Sequence, residues 1–224
     1  MVREQYIQGL KKIEQGAVSI GEMVWSALDN ALDALMQHDL GKAHKVITQD
    51  VNINNKRWEI EEECIKLIAT QQPVATDLRE IIAILNIITE FERMGDHAQG
   101  IAKITVLLKS EPPMKSLQTF YEMSQEVLKM IKRVIQAFLD RNIKESLKIY
   151  KHDDVIDNYY NKIFDEIVDF EEENPKHFKI ATYFIWMAHD LERIADRVSN
   201  VCERIVYLVH GEMENLDKFN PQSS

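Results

Sequence analysis

The chain has 224 residues, of which 45% are apolar and 29% charged, and its formal net charge is −10. Nucleic-acid-binding proteins usually present a basic face, so this balance argues against a nucleic-acid partner and favours cations or basic protein surfaces. No apolar run approaches the roughly 18 residues that span a bilayer, and the N-terminus lacks a secretory signal pattern. Cys64 and Cys202 lie far apart within apolar helical patterns, as expected of reduced thiols in a cytosolic protein.

The residues that break helices divide the chain into six segments. There are only seven glycines and five prolines, which leaves few turns and implies long regular elements. The breaks fall at His38–Gly41, Gln71–Pro73, Ser110–Pro113, Asp140–Asn142 and Glu173–Pro175. We therefore predict an all-α protein with helices over 3–38, 41–71, 75–109, 115–140, 143–173 and 177–210.

The first three helices recur as the last three. The third helix has an apolar stripe of helical period that the sixth repeats 100 residues later, together with the motif Glu92-Arg-x-x-Asp96 as Glu192-Arg-x-x-Asp196. The second and fifth helices match at an offset of 103 residues. The sequence thus predicts a tandem repeat of two antiparallel three-helix bundles, over 1–111 and 112–212, with a tail over 213–224.

The polar residues that recur in each repeat are predicted to meet at one place. With about 100° per residue, Asp50 and Asn54 occupy one flank of the second helix, and Glu92 and Asp96 the flank of the same sense on the third. Because a short turn makes these helices antiparallel, such flanks either face each other or both point away. Both pairs lie about 20 residues from the turn and therefore at one level. The same counts place Asp153 and Asp157 level with Glu192 and Asp196.

Crowded carboxylates repel one another, so each cluster needs a compensating cation. Hard metals such as magnesium, manganese or iron prefer oxygen ligands of this kind. The alternative is Arg93 and Arg193, which could form ordinary surface ion pairs with the aspartates three residues later. His189, one turn before the second motif's glutamate, is either a further ligand or a solvated histidine. Because all four positions are duplicated, we predict metal ligands at Asp50, Asn54, Glu92, Asp96, Asp153, Asp157, Glu192 and Asp196.

These motifs, with the turn Gln72-Pro-Val-Ala-Thr-Asp-Leu-Arg79, resemble the PhoU family of phosphate-transport accessory regulators over nearly the whole chain. The resemblance implies two three-helix bundles in a flat, pseudo-symmetric arrangement. It implies multinuclear metal clusters of iron or zinc, with magnesium or manganese as alternatives. It also implies a cytoplasmic negative regulator of phosphate uptake and phosphate-starvation signalling that is not an enzyme.

The resemblance also implies partners. These are the ATPase subunit of the phosphate ABC transporter and the phosphate-sensing histidine kinase, either of which could recruit the chain to the inner face of the membrane. Monomer and homodimer both stay open. Two positions depart from the pattern: Asn54 replaces an aspartate, and Ala195 stands where the first motif has Gly95. The first departure lowers the charge of one cluster and puts equal metal occupancy in doubt.

The residues argue against two other functions and leave one alternative open. Di-iron carboxylate bundles use Glu-x-x-His within a helix, and no glutamate here is followed by histidine at that spacing. A phosphohydrolase with a metal-activated water lacks a candidate general base. The main alternative is a helical adaptor that binds protein partners without metal.

Overall fold

A computed structural model describes residues 2–108, 117–173, 178–212 and Leu216, and over these residues the chain is helical without a strand. The all-α prediction is therefore confirmed. The predicted repeat boundary at 111–112, and the predicted tail apart from Leu216, lie outside the described residues. The helices are α1 (Val2–Gln37), α2 (Leu40–Gln71), α3 (Thr76–Leu108), α4 (Leu117–Leu139), α5 (Ile143–Lys151), α6 (Asp153–Glu173) and α7 (Phe178–His210).

The prediction of one helix over 143–173 is wrong, because α5 ends and α6 begins on either side of His152. The His152 N–H donates to the carbonyl oxygen of Ile149, and the Val155 N–H donates to that of His152, each at 3.0 Å and over three residues. The His152 ring packs toward α4, with Nε2 at 2.9 Å from Glu126 Oε2. Asp153 thereby becomes the first residue of α6, where a helix N-terminus favours negative charge.

The turn between α1 and α2 has the same construction as the turn between α4 and α5, which supports the predicted repeat. His38 and Arg141 adopt left-handed backbone conformations, with φ of 53° and 52°. The next residues, Asp39 and Asn142, cap α2 and α5. Each side chain accepts a hydrogen bond from the backbone N–H three residues later, at 2.9 and 3.1 Å. Neither turn uses glycine at its left-handed position, which is consistent with the small number of glycines in the chain.

The repeats share one hydrophobic core, because α3 packs on α7 and α1 packs on α4. Close approach of α1 and α4 depends on Gly21, where a Cβ would lie 2.8 Å from Cγ1 of Ile135. The predicted apolar stripes are buried throughout. They comprise Ile84, Ile87, Phe91, Met94, Ala98, Ala102 and Thr105 on α3, and Phe184, Met187, Leu191, Ile194, Val198, Cys202 and Ile205 on α7.

Both cysteines are free and buried, as the sequence predicts. Burial raises the pKa of the Cys64 thiol to about 12, so this side chain is a neutral thiol at physiological pH. Neither cysteine is therefore a reactive thiolate in the folded chain.

Candidate functional site

The structure brings the four predicted residues of the first repeat together at the seam between α2 and α3. Asn54 Nδ2 donates to Asp50 Oδ2 at 3.1 Å. Asp50 reaches across to α3, where a Cβ added to Gly95 would lie 3.6 Å from Asp50 Oδ1. Burial, followed by the Asp96 carboxylate, raises the pKa of Asp50 and also that of Glu92. We refer to Asp50, Asn54, Glu92 and Asp96 as the first cluster.

The second cluster comprises Asp153, Asp157, Glu192 and Asp196, at the seam between α6 and α7. Burial, followed by the carboxylates of Asp196 and Asp157, raises the pKa of Asp153 to about 7, although the Ser199 hydroxyl opposes this shift. Burial and Asp196 also raise the pKa values of Asp157 and Glu192. The Asp196 carboxylate thus disfavours ionisation of the other three carboxylates of the second cluster.

The arginine alternative holds in the second repeat. Arg193 Nη1 donates to Asp196 Oδ2 at 2.8 Å, and its Nε lies 3.3 Å from Glu192 Oε2. One guanidinium therefore bridges two carboxylates of the second cluster. Its side chain is 42% exposed, so solvent competes for it and the pairing is weak.

The first repeat is compensated differently. Arg93 Nη1 lies 4.0 Å from Glu90 Oε1. Among the described ion pairs, Arg93 therefore pairs with Glu90 and not, as predicted, with Asp96. Instead Arg57 of α2 extends to the first cluster, with Nε at 3.8 Å from Glu92 Oε1. Arg57 was not among the residues predicted from the sequence. Its position, about 60° from the core centre of α2 on the flank of Asp50, was the signal that could have identified it.

His189 belongs to the second repeat alone, since Thr89 occupies the matching place in the first. Its Nδ1 lies 3.3 Å from Glu192 Oε2, and its ring is in tilted contact with that of Tyr160, with 6.3 Å between ring centroids. His189 therefore borders the second cluster and can supply one nitrogen donor there.

The donor chemistry of both clusters suits a hard cation, since every charged donor is a carboxylate. Glu192 Oε2 is buried and accepts no hydrogen bond, although Arg193 Nε and His189 Nδ1 each lie 3.3 Å from it. With the side chains as they stand, however, no three acidic, histidine or cysteine groups within residues 2–108, 117–173 and 178–212 converge closely enough to hold an ion. Metal binding at either cluster therefore requires side-chain rotation and release of the arginines.

A second polar arrangement, which the sequence analysis missed, joins the repeats where α3 meets α7. His97 Nδ1 lies 2.9 Å from Asp190 Oδ1. In the related position Glu90 Oε2 accepts a hydrogen bond from Asn200 Nδ2 at 3.1 Å and pairs with Arg197 Nη1 at 3.4 Å. Since each contact maps onto the other by the offset of 100, the two bundles meet across a pseudo-two-fold axis. This contact between α3 and α7 fixes the placement of one cluster relative to the other.

Comparison with known proteins settles the family. The model of the PhoU domain matches twice, over residues 18–105 and 120–205. The chain belongs to the PhoU family. It is 34% identical to the phosphate-specific transport system accessory protein PhoU homolog of Clostridium acetobutylicum, over 97% of this chain and 100% of that protein. It is 31% identical to the accessory protein PhoU of Escherichia coli, over 93% and 86% respectively.

A crystal structure of the phosphate transport system regulatory protein PhoU from Streptococcus pneumoniae has the same fold. Its TM-score is 0.88 at 31% identity, with 94% of this chain and 99% of that chain covered. This confirms the duplicated helical architecture of a PhoU-family protein. The PhoU relatives are named as accessory or regulatory proteins of phosphate transport, so this chain is an accessory protein and not an enzyme. None of the described helices combines the length and the apolar character that a membrane span needs.

Proposed function

We propose that the protein is a cytoplasmic negative regulator of phosphate uptake and phosphate-starvation signalling, which acts by binding partners. The partners are the ATPase subunit of the phosphate ABC transporter and the phosphate-sensing histidine kinase. Metal ions at the first and second clusters set the shape of the surface that these two partners contact. Family membership supports the accessory role. The proposal that metal binds is supported by the duplicated group of half-buried carboxylates with raised pKa values.

An exposed apolar stripe on α2 supports partner binding. Val51, Trp58 and Ile65 follow one another at intervals of seven residues, and each is more than half exposed. A stripe of this spacing suits an amphipathic helix or a shallow protein surface. Charged side chains of both signs flank it, among them Glu62 and Lys66.

In this proposal Asp50, Asn54, Glu92 and Asp96 hold metal in the first repeat, and Asp153, Asp157, Glu192 and Asp196 hold it in the second. Iron or zinc is proposed, with magnesium or manganese as alternatives that suit the oxygen-only donor set. A bound cation would neutralise the carboxylates. The ligands from α2 and α3, or from α6 and α7, would then be cross-linked at the seam between the two helices.

The partner claim is tested by pull-down of the ATPase subunit, using the full chain with or without bound metal. A Trp58→Ala, Ile65→Ala variant tests the stripe, and Val168→Ala, an exposed apolar change on α6, is the matched control. We expect capture by the wild type and the control, with loss in the stripe variant. Equal capture by the chain and an unrelated helical bundle contradicts the proposal.

A helical adaptor without metal is the second candidate, because Arg57 and Arg193 already provide positive charge beside the clusters. Elemental analysis separates the two functions. The adaptor is supported if protein purified without chelators carries no metal and its partner binding equals that of a four-alanine variant. The substituted positions are Glu92, Asp96, Glu192 and Asp196.

A further inference from the structure

A cleft of about 440 Å³ opens on the first repeat between α1 and α2, and Gly95 of α3 also lines it. Apolar side chains such as Val46 and Ile53 form part of its wall. Hydroxyl and amide groups form another part, among them those of Ser26 and Asn30. Its size and mixed polarity suit a long side chain that has an apolar stem and a polar end.

The charged side chains that line this cleft are both acids. Among its described lining residues only Glu22 and Asp50 carry charge. Glu22 is exposed and forms no hydrogen bond or ion pair with another described residue. Burial and then the Asp96 carboxylate raise the pKa of Asp50, although Asn54 and Lys103 act in the opposite sense. The cleft therefore favours a positively charged occupant.

The nearest lysines on α2 do not fill this part of the cleft. Lys42 and Lys45 line an adjoining cleft toward the turn between α1 and α2, and neither lines the section that holds Glu22 and Asp50. Lys42 is already paired with Asp33. The acidic section therefore faces solvent without a basic side chain in it, as far as the described residues show.

The second repeat fills the matching place with long side chains of its own. At the offset of 103 residues, Met23, Ser26, Asn30 and Gln49 correspond to Glu126, Lys129, Arg133 and His152. Lys129 Nζ and His152 Nε2 lie 2.7 and 2.9 Å from the two carboxylate oxygens of Glu126. Arg133 Nε donates to Glu145 Oε1 at 2.8 Å. The fold thus accommodates basic side chains at this place, whereas the first repeat has shorter or neutral ones and leaves the space open.

From these observations we propose that the cleft between α1 and α2 binds an arginine or lysine side chain of a protein partner. This side chain takes the place that Lys129 and Arg133 occupy in the second repeat. The inference rests on the proposed partner binding and adds the chemistry of one contact to it. The charged end of the partner's side chain pairs with Glu22 and Asp50, and its stem packs on the apolar wall. Only the first repeat offers this contact.

The test fills the cleft with a basic side chain of the chain itself. Ser26→Lys places a lysine four residues after Glu22, where the two pair along α1. The hydrogen bond from Asn30 Nδ2 to the Ser26 carbonyl oxygen, at 2.7 Å, is kept in this variant. We expect the affinity for the purified ATPase subunit of the phosphate ABC transporter, measured by calorimetry with the full chain, to fall by about tenfold or more. Glu22→Gln should also weaken binding.

Gln8→Lys is the matched control, since it adds the same charge at an exposed position of α1, four residues after the exposed Glu4. It should bind the ATPase subunit as the wild type does, and Glu4→Gln should do the same. Circular dichroism confirms that each variant is folded. Equal losses from Ser26→Lys and Gln8→Lys would trace the effect to the charge of α1 as a whole and overturn the inference.

The remaining outcomes separate this inference from the proposed function. Equal affinity of the wild type and Ser26→Lys overturns the inference and leaves the proposed function in place. A wild type that does not bind the ATPase subunit overturns both. Sedimentation of the same chains tests a second copy as the occupant. Self-association that is lost in Ser26→Lys, with the affinity for the ATPase subunit unchanged, overturns the assignment of the cleft to a partner.

Discussion

His97 on α3 and Asp190 on α7 lie 2.9 Å apart across the seam between the repeats, and the same contact recurs with the repeats exchanged as Arg197 and Glu90. Gly100 makes room for it, because a Cβ there would lie 2.7 Å from Asp190 Oδ2. The two bundles are therefore joined by a reciprocal pair of polar contacts within an apolar interface. These contacts determine the relative positions of the two clusters, so their loss should affect both repeats.

The first prediction concerns this seam. Glu90→Ala leaves Arg197 and Asn200 without their shared acceptor in a largely buried place, so the free energy of unfolding should fall by about 2 kcal/mol. Glu59→Ala, which removes an exposed partner of Lys56, is the control and should cost less than about 0.5 kcal/mol. Urea denaturation of both variants gives the comparison, and equal midpoints would show that the seam contributes nothing.

The second prediction concerns pH. The pKa of Asp153 rises from its ordinary value of 3.8 to about 7 on folding, chiefly through burial and then through Asp196. The folded state therefore binds this proton more tightly than the unfolded state, and the metal-free protein should lose stability as the pH rises from about 4 to 7.

Asp153→Asn should reduce this dependence, since Asp50, Glu92, Asp157 and Glu192 keep their own raised pKa values. At pH 8 in chelator the variant should unfold with a free energy about 1–3 kcal/mol higher than the wild type, whereas at pH 4 the two should nearly coincide. Asp165→Asn, an exposed change on the same helix, is the control. A wild type that grows more stable over this pH range, measured by urea denaturation, would contradict the assignment.

The third prediction concerns ligand linkage. A metal that binds only the folded chain stabilises it by about 2.7 kcal/mol at a free concentration of 100 times Kd. Thermal denaturation with increasing Mn²⁺ should therefore raise the Tm of the wild type. The Tm of the variant with alanine at Glu92, Asp96, Glu192 and Asp196 should stay nearly constant, and that of Asp140→Ala, an exposed aspartate outside the clusters, should rise as in the wild type. Equal rises in all three chains would place the bound metal elsewhere.

The fourth prediction concerns the repeated turns. Asp39→Ala removes the side-chain cap of α2, and Asn142→Ala removes that of α5, so each should lower the free energy of unfolding by about 1 kcal/mol. Asp39→Asn keeps an acceptor and should cost little. Chemical denaturation of the three variants checks this. A cost for Asp39→Asn equal to that of Asp39→Ala would mean that the charge matters and the cap does not.

Helical periodicity was sufficient to predict the stripes on α3 and α7 and the meeting of Asp50 with Asp96, because both follow from 3.6 residues per turn and one short connection. The break at His152 was not predictable in this way. No glycine or proline marks it, and its bonds span only three residues. Arg57 and the His97–Asp190 pair depend on which helices pack together, information that a single helix pattern does not contain.

The central claim is that the duplicated acidic clusters bind metal. The most direct test is the metal content of the full chain purified without chelators, beside the variant with alanine at Glu92, Asp96, Glu192 and Asp196, each confirmed as folded. The account predicts stoichiometric iron, zinc, manganese or magnesium in the wild type and none in the variant. Equal metal content in the two chains, including none in both, would contradict it.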